Sequence, residues 1–170
     1  MITHSVSREF IEQSIHYIEL NTPRIEKCLK SLTEEEVWHQ PNESTNSIGT
    51  LILHLCGNIT QYIISSIGGK ADNRERDKEF ATKGGFTKAE LFQKLQDTID
   101  TAVSIIKDCS ENELLKVRTV QGFSLSGIGI IVHVTEHYSY HTGQIALITK
   151  LITNKDLGFY AGINLNTLND

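Results

Sequence analysis

Apolar residues recur at steps of three and four along four long stretches of the chain, which is the spacing of one face of a helix. The stretches cover residues 5–32, 48–67, 87–109 and 127–153. Mostly short polar links separate them, and the sequence shows no internal repeat or domain linker. Four amphipathic helices connected in this way predict an all-α four-helix bundle that occupies residues 1–170 as a single domain.

Local signals mark where these helices begin. Pro23 interrupts the first stretch, which predicts a kink or a short restart capped by Thr22. Asn46 or Ser47 is the candidate N-cap of the second helix. The segment TKAE, which begins at Thr87, has the signature of a capping box for the third. The capping signals lie near the starts of the apolar stretches, and Pro23 lies at an interruption within one. Caps and periodicity therefore predict the same set of helices.

The links between the helices differ in length. Residues 33–46 are predicted to be a connection with a one-turn helix, and residues 116–127 a loop with a short extended piece. Residues 68–86 form a long polar loop bounded by glycines. A loop of this length in a compact domain is often functional. We interpret it as a crossover or a cover for a site, and we expect it to border the functional pocket.

Composition narrows the class of protein. Of 170 residues, 39% are hydrophobic and 22% are charged, which is typical of a globular protein. The net charge of −5 gives no reason to expect nucleic acid or an anionic membrane as a partner. The start lacks a signal-peptide pattern, and no uninterrupted apolar run approaches the length of a membrane span. Three scattered cysteines fit free thiols in a reducing compartment, so we expect a cytoplasmic protein.

The fourth stretch carries histidines where a bundle core would normally hold leucines. His133, His137 and His141 recur at steps of four, and a helical wheel places them on the apolar side, opposite Glu136 and Ser139. An imidazole buried without a partner costs about 1–3 kcal/mol. Two histidines at positions i and i+4 can also reach one metal ion, as in helical zinc sites. The stripe therefore needs hydrogen-bond partners or a metal, and the spacing alone leaves both interpretations open.

His54 is the candidate for a third ligand from another helix. It is the one histidine in an otherwise apolar segment, LILHLCGN. His4, His16 and His39 lie near the terminus, on the first helix or beside a loop, and we interpret them as structural or solvated. The spacing is therefore equally consistent with two interpretations. Either His54 and two histidines of the stripe bind a metal, or all of them are ordinary core histidines with hydrogen-bond partners.

The segments LILHLCGN and HYSYHTGQIALITK resemble the DinB/YfiT-like superfamily of metalloenzymes. Further stretches, WHQPNESTNSIG, RERDKEF, TVQGF and LGFY, resemble one uncharacterised branch of it. The resemblance implies a four-helix bundle, often a homodimer, in which His54, His137 and His141 bind a divalent metal such as zinc or nickel. His133 lies outside this three-ligand pattern, and we interpret it as a neighbour that supports the ligands or packs beside them. Gln144 is a candidate to hydrogen-bond a ligand.

Three histidine ligands leave an ion its double charge and one open coordination position, as in catalytic zinc sites. Zinc in such a site lowers the pKa of bound water to about 7 or holds a thiol as its thiolate. The resemblance implies an enzyme acting on a small molecule, with transfer of a low-molecular-weight thiol as the leading reaction. Metal-dependent hydrolysis is one alternative. A non-enzymatic, stress-related dimer with a structural metal is another.

The segment HYSYH lacks the glutamate that serves as general base in HExxH metalloproteases. Any general base must therefore come from another part of the chain. Asp77 and Glu79 in the long loop are candidates, although RERDKEF also fits a solvated charge run. Asn58, one turn after His54, is placed either to orient a substrate or to form a hydrogen bond across the bundle.

Overall fold

The computed structural model describes residues 5–169, and the regular structure within them is helical except for one β-hairpin. The helices are α1 Val6–Lys30, α2 Glu34–Trp38, α3 Ile48–Ile59, α4 Arg76–Ala81, α5 Lys88–Lys107, α6 Glu111–Leu115 and α7 Gly127–Thr153. The hairpin strands are β1 Val117–Val120 and β2 Phe123–Ser126. The segment Thr60–Ser65 continues α3 as a π-helix. The predicted all-α four-helix bundle is confirmed, and its long helices are α1, α3, α5 and α7.

Each long helix contacts two others: α1 packs against α5 and α7, and α3 packs against the same pair. Isoleucine and leucine fill most of the interior. By length and composition, Ile48–Ser65 would be apolar enough to cross a membrane, although polar residues such as His54 and Asn58 interrupt its apolar run. However, 72% of it lies inside the protein, as expected for a helix that is apolar on all sides because it forms the centre of a bundle.

α1 continues through Pro23, which corrects the prediction of a restart capped by Thr22. The Thr22 side chain lies in the core instead. Its hydroxyl is 3.4 Å from the carbonyl of Ile18 and 3.0 Å from the Tyr138 hydroxyl of α7. Packing against α7 therefore holds α1 together at the position where proline supplies no amide hydrogen.

Side-chain caps begin the other long helices close to where the sequence predicts. The Ser47 hydroxyl accepts a hydrogen bond from the Thr50 amide at 3.1 Å and begins α3. Thr87 and Glu90 form the predicted capping box at the start of α5. Ser126 caps α7, whose bounds are those predicted from the sequence. The start of each bundle helix thus depends on hydrogen bonds within one turn.

The long link between α3 and α5 contains α4, a helix that the sequence analysis did not predict. None of its residues is buried, so it lacks the apolar stripe by which helices are recognised in a sequence. The link lies against α3 and its continuation. Thr50 Oγ1 donates to the Thr82 carbonyl at 3.2 Å, and Gln61 Nε2 donates to Asp72 Oδ2 at 2.8 Å. The loop is therefore folded onto a core helix.

The hairpin places the start of α7 tightly against α6. Gln121 and Gly122 form its turn, with positive φ values of 50° and 83°. At Gly127 an added Cβ would overlap the Glu113 carbonyl oxygen and lie 2.9 Å from Leu114 Cα. Backbone this close leaves room only for glycine. The position of α7, and of the histidines that it carries, therefore depends on Gly127.

We expect Gly127→Ala to lower the free energy of unfolding by about 1–3 kcal/mol, because the new methyl group collides with backbone that cannot rotate away. Gly129→Ala is the matched control, since its Cβ would meet Leu125 and Ser126 at an ordinary 3.6 Å. The control should leave stability unchanged or raise it by up to about 1 kcal/mol through helix propensity. Urea unfolding followed by circular dichroism measures both, and equal stability of the two variants would contradict the prediction.

Candidate metal centre

α3 and α7 run antiparallel and present three histidines to one point between them. His54 belongs to α3, and His137 and His141 belong to α7. The ligating nitrogens of the three all lie within 4.8 Å of one another. His54 Nε2 is 3.0 Å from His137 Nε2, and the ring centroids of His137 and His141 are 4.4 Å apart. The structure thus brings together the three histidines that the sequence predicts as metal ligands.

The three imidazoles fit a divalent metal. Nitrogens bound at about 2.1 Å to one tetrahedral zinc ion are separated by roughly 3.4 Å. This value is compatible with the 3.0 Å between His54 and His137 and with the 4.8 Å limit of the whole set. His54 and His141 are only 6% and 8% exposed, so little water competes for their nitrogens. Imidazole nitrogen suits zinc, nickel, copper and iron alike.

The surroundings favour the neutral form of the ring, which is the form that binds a metal. Burial, followed by the neighbouring His141, His54 and His133, lowers the pKa of His137 to about 3. Burial also lowers the pKa of His141, against the opposing effect of its hydrogen bond to Gln144. A metal arriving at neutral pH therefore displaces no proton from His137.

Two of the three rings have a further polar contact on the nitrogen that faces away from the cluster. His141 Nδ1 is 2.7 Å from Gln144 Oε1. Because this oxygen is an acceptor, Nδ1 carries the proton and leaves Nε2 free for an ion. His54 Nδ1 is 3.1 Å from Glu79 Oε2 and 3.2 Å from Arg74 Nη2. Gln144 and Glu79 thus both contact a candidate ligand directly.

Glu79 and Arg74 form an ion pair over His54. Arg74 Nε donates to Glu79 Oε1 at 2.8 Å, and Nη2 donates to Oε2 at 2.9 Å. Arg74 Nη1 also donates to Gln61 Oε1 at 2.9 Å. Burial acts to raise the pKa of Glu79, but the hydrogen bonds and charges of Arg74 and His54 together outweigh it and lower the pKa. These contacts confirm the prediction that residues 68–86 border the site.

A second polar pair lies one turn along each helix from the first. Asn58 Nδ2 is 3.3 Å from His133 Nε2. The His133 ring stacks on those of His137 and Tyr62, at centroid distances of 5.3 and 4.3 Å. Asn58 Oδ1 is buried and has no hydrogen-bond partner within the part of the chain that the structure describes. His133 is therefore a neighbour of the cluster, and Asn58 forms the hydrogen bond across the bundle that was one of its two expected roles.

The candidate acid and base residues of the long loop lie in different places. Asp77 is exposed on α4, and across residues 5–169 it forms no hydrogen bond or ion pair with the three histidines. Glu79 reaches His54, but Arg74 engages both of its oxygens. This ion pair was not predicted from the sequence. Its only signal is a pair of opposite charges five residues apart within a charge run, which usually indicates solvated side chains.

A cleft of about 540 Å³ lies beside this ion pair. Its walls come from α3, α5 and the long loop, and they include Arg74 and Glu79 but none of the three histidines. The volume is in the range of small-molecule sites. The cleft is thus bordered by Arg74 and Glu79, which contact His54, and not by the three histidines themselves.

Comparisons with known proteins identify the fold and a sequence family. A family profile described as "Protein of unknown function (DUF1572)" matches residues 5–161. A conserved protein from Enterococcus faecalis is similar over 85% of this chain and 97% of its own, with a TM-score of 0.71 and 17% sequence identity. A DinB-like protein from Bacillus subtilis is similar over 87% of this chain and 97% of its own, with a TM-score of 0.66 and 16% identity. No curated protein matches the sequence. At these identities the two structures establish the fold alone.

The low pKa of His137 predicts that acid destabilises the metal-free protein. This ring has a pKa of 6.5 in its ordinary state and of about 3 in the folded protein. Between these values the unfolded chain binds a proton that the folded protein does not bind. The free energy of unfolding should therefore fall as the pH drops from 6.5 towards 3. Urea unfolding in the presence of a chelator, at a series of pH values, measures this slope.

Two variants show whether His137 causes the slope. His137→Gln should make the slope shallower, because it removes one of the groups whose protonation differs between the two states. His141, whose pKa is also lowered, remains in this variant. His16→Gln replaces an exposed histidine of α1 and should preserve the slope of the wild type. An unchanged slope in His137→Gln would show that other groups cause the acid sensitivity.

Proposed function

The chain belongs to the DUF1572 family, a DinB-like family, and from this membership together with the histidine cluster we propose that it is a metal-dependent enzyme acting on a small molecule. His54, His137 and His141 are the proposed ligands of a divalent ion, with zinc or nickel as the leading candidates. The observation that carries the proposal is the convergence of three imidazoles from two helices. In the described part of the chain no fourth histidine, cysteine or carboxylate joins the group. Structural zinc sites usually have four protein ligands, so three favour a catalytic site.

The proposed reaction is the transfer of a low-molecular-weight thiol. Its support is the resemblance of LILHLCGN and HYSYHTGQ to a superfamily that includes thiol transferases. A bound divalent ion supplies Lewis-acid chemistry, which stabilises a thiolate at neutral pH. The chain itself supplies neutral ligands in a buried setting, and Gln144 orients one of them through its ring Nδ1.

Within the described residues, neither of the two candidate carboxylates is a free base beside the cluster, which favours a thiol over water as the reacting group. Glu79 is paired with Arg74, and Asp77 lies on the surface of α4. A thiol has an ordinary pKa of about 8.5 and ionises without help when a cation is close. Water needs a positioned base more often, as the glutamate of HExxH enzymes illustrates. Metal-dependent hydrolysis therefore stays the second candidate.

The metal content of purified, untagged protein tests the proposal. His54→Ala, His137→Ala and His141→Ala should each abolish stable metal binding, because each removes one of three ligands. His133→Ala should reduce affinity by no more than about 10- to 100-fold, which is typical for residues that contact a ligand without binding the ion. Elemental analysis after reconstitution with zinc or nickel gives the result. Full metal content in the His54 and His137 variants, or none in the wild type, would overturn the proposed site.

The same preparations test the reaction. Protein loaded with cobalt(II) should change its visible absorption when cysteine or glutathione is added, because a thiolate entering the open position alters the ligand field. The thiol should then be conjugated to a model electrophile faster than in the His141→Ala variant. If the protein binds metal but shows neither the absorption change nor the faster conjugation, the metal site stands and the proposed thiol reaction is overturned.

We further propose that the protein is a cytoplasmic homodimer with no nucleic acid or membrane partner. The sequence suggests an interface on the apolar faces of the first and third long helices, α1 and α5, together with Trp38 and Phe123. The apolar face of α5 is buried in the chain's own core, whereas Phe123 is exposed. Exposed apolar side chains lie on α1 and also on α7, among them Tyr17, Tyr140, Leu147 and Leu151. Apolar surface of this kind is what a second copy would cover. The three free cysteines support a reducing compartment.

Light scattering at micromolar concentration should give twice the 19.1 kDa mass of one chain. Leu147→Glu should shift the population towards the monomer, because it places a charge in the proposed interface. Val117→Glu, which alters an equally exposed apolar residue of β1, is the control and should leave the dimer intact. A wild-type protein with a mass of 19.1 kDa would exclude the dimer.

A further inference from the structure

His54 has two alternative sets of hydrogen bonds. In the first, Nδ1 carries the proton and donates to Glu79 Oε2 at 3.1 Å. In the second, Nε2 carries the proton and donates to His137 Nε2 at 3.0 Å, while Nδ1 accepts from Arg74 Nη2 at 3.2 Å. A neutral imidazole has one ring proton, so it adopts only one of the two. Only the first leaves the Nε2 lone pair of His54 free to face an ion.

The Glu79 carboxylate makes one of the two tautomers of His54 more favourable than the other. In the second state, Glu79 Oε2 and His54 Nδ1 are two acceptors at a separation of 3.1 Å, which is repulsive. In the first state, Arg74 Nη2 and His54 Nδ1 are two donors at a separation of 3.2 Å. Both donate to the same anionic acceptor, Glu79 Oε2, at 2.9 and 3.1 Å, and this shared acceptor stabilises the arrangement. We infer that Glu79 is a positioning residue that selects the metal-binding tautomer of His54.

Gly57 provides the space that Glu79 occupies. An added Cβ at this position would overlap Glu79 Oε1, and it would lie 2.6 Å from Glu79 Cδ and 3.1 Å from Arg74 Nε. Gly57 is also the one residue of α3 that is not buried. Glycine inside a helix is less favourable than alanine by about 0.5–1 kcal/mol. The Glu79 carboxylate approaches the backbone of α3 so closely that only glycine fits at position 57.

Further contacts hold the carboxylate in this place. Gln61 accepts from Arg74 Nη1 at 2.9 Å and donates to Asp72 Oδ2 at 2.8 Å. Asp72 Oδ1 accepts from the Arg74 amide at 3.1 Å. The Phe80 ring lies 4.9 Å from the His54 ring, measured between centroids. Residues that fix the position of a ligand's partner in advance raise the affinity of a metal site. The long loop is by this inference a part of the metal site.

Zinc affinity, measured by competition with a chromophoric chelator, tests the inference, which rests on the proposed metal site. Gly57→Ala and Glu79→Gln should each weaken zinc binding by about 10- to 100-fold. The first variant is the sharper test, because it changes no ligand and no charge. Gly84→Ala, whose Cβ would meet nothing within 4 Å, and Glu75→Gln, whose exposed side chain pairs with Lys78, are the matched controls and should bind zinc like the wild type.

Nitrogen-15 NMR of the metal-free proteins gives a second readout, since two-bond correlations show which ring nitrogen of His54 carries the proton. We expect Nδ1 in the wild type. In Glu79→Gln we expect a shift towards Nε2, because the new amide can donate to Nδ1. This variant keeps the size of the side chain and remains informative if Gly57→Ala does not fold.

The outcomes separate this inference from the proposed function. Wild-type zinc affinity in both variants, or a proton on Nε2 of His54 in the wild type, would overturn the role of Glu79 and leave the metal site standing. A wild type that binds no zinc would overturn the metal site itself, and the tautomer comparison would still decide whether Glu79 sets the proton on His54.

Discussion

The antiparallel packing of α3 against α7 is the constraint on which the rest of the structure depends. His54, Asn58 and Tyr62 follow one another at steps of four, and each meets a histidine of α7. A polar group buried without a partner costs about 1–3 kcal/mol. Two rows of polar side chains are stable inside an apolar bundle because they pair across the helices. In the described part of the chain, Asn58 Oδ1 is the one buried side-chain oxygen or nitrogen left unpaired.

The apolar core around these rows determines the chemistry of the histidines. Burial lowers the pKa of His137 to about 3 and lowers the pKa of His141 as well. Rings that resist protonation present their lone pairs at neutral pH, and a divalent cation is the partner that benefits most from three such lone pairs at one point. The isoleucines and leucines of the core thus contribute to the proposed metal site although none of them contacts an ion.

The ion pair that contacts the cluster comes from the long loop rather than from the bundle helices. Arg74 and Glu79 compensate each other at the edge of the core, where their side chains are 3% and 11% exposed. A buried ion pair is tolerated only when its geometry and its additional hydrogen bonds are good. Gln61 and His54 supply those additional bonds, and Gly57 supplies the space. A loop without an apolar face of its own is in this way fixed to α3 by polar contacts next to the site.

The amino-acid sequence by itself determined the four long helices, the caps of the second and third of them, and the spacing of the histidines, to which the family resemblance added the choice of ligands. Ser47 and Thr87 cap helices through hydrogen bonds within one turn, and the i, i+4 spacing of His137 and His141 follows from the geometry of one helix. Such features depend on neighbours in the chain, so periodicity and local chemistry are sufficient to predict them.

Only the tertiary structure decided which side chains the candidate ligands contact. Glu79 meets His54 across 25 residues, and Thr22 meets Tyr138 across 116. We attribute the continuity of α1 through Pro23 to its packing against α7, which includes the hydrogen bond between Thr22 and Tyr138. A hydrogen bond between distant residues depends on the path of the chain between them and on the packing of whole helices. Neither leaves a periodic signal in the sequence, because each is the outcome of many weak contacts that act together.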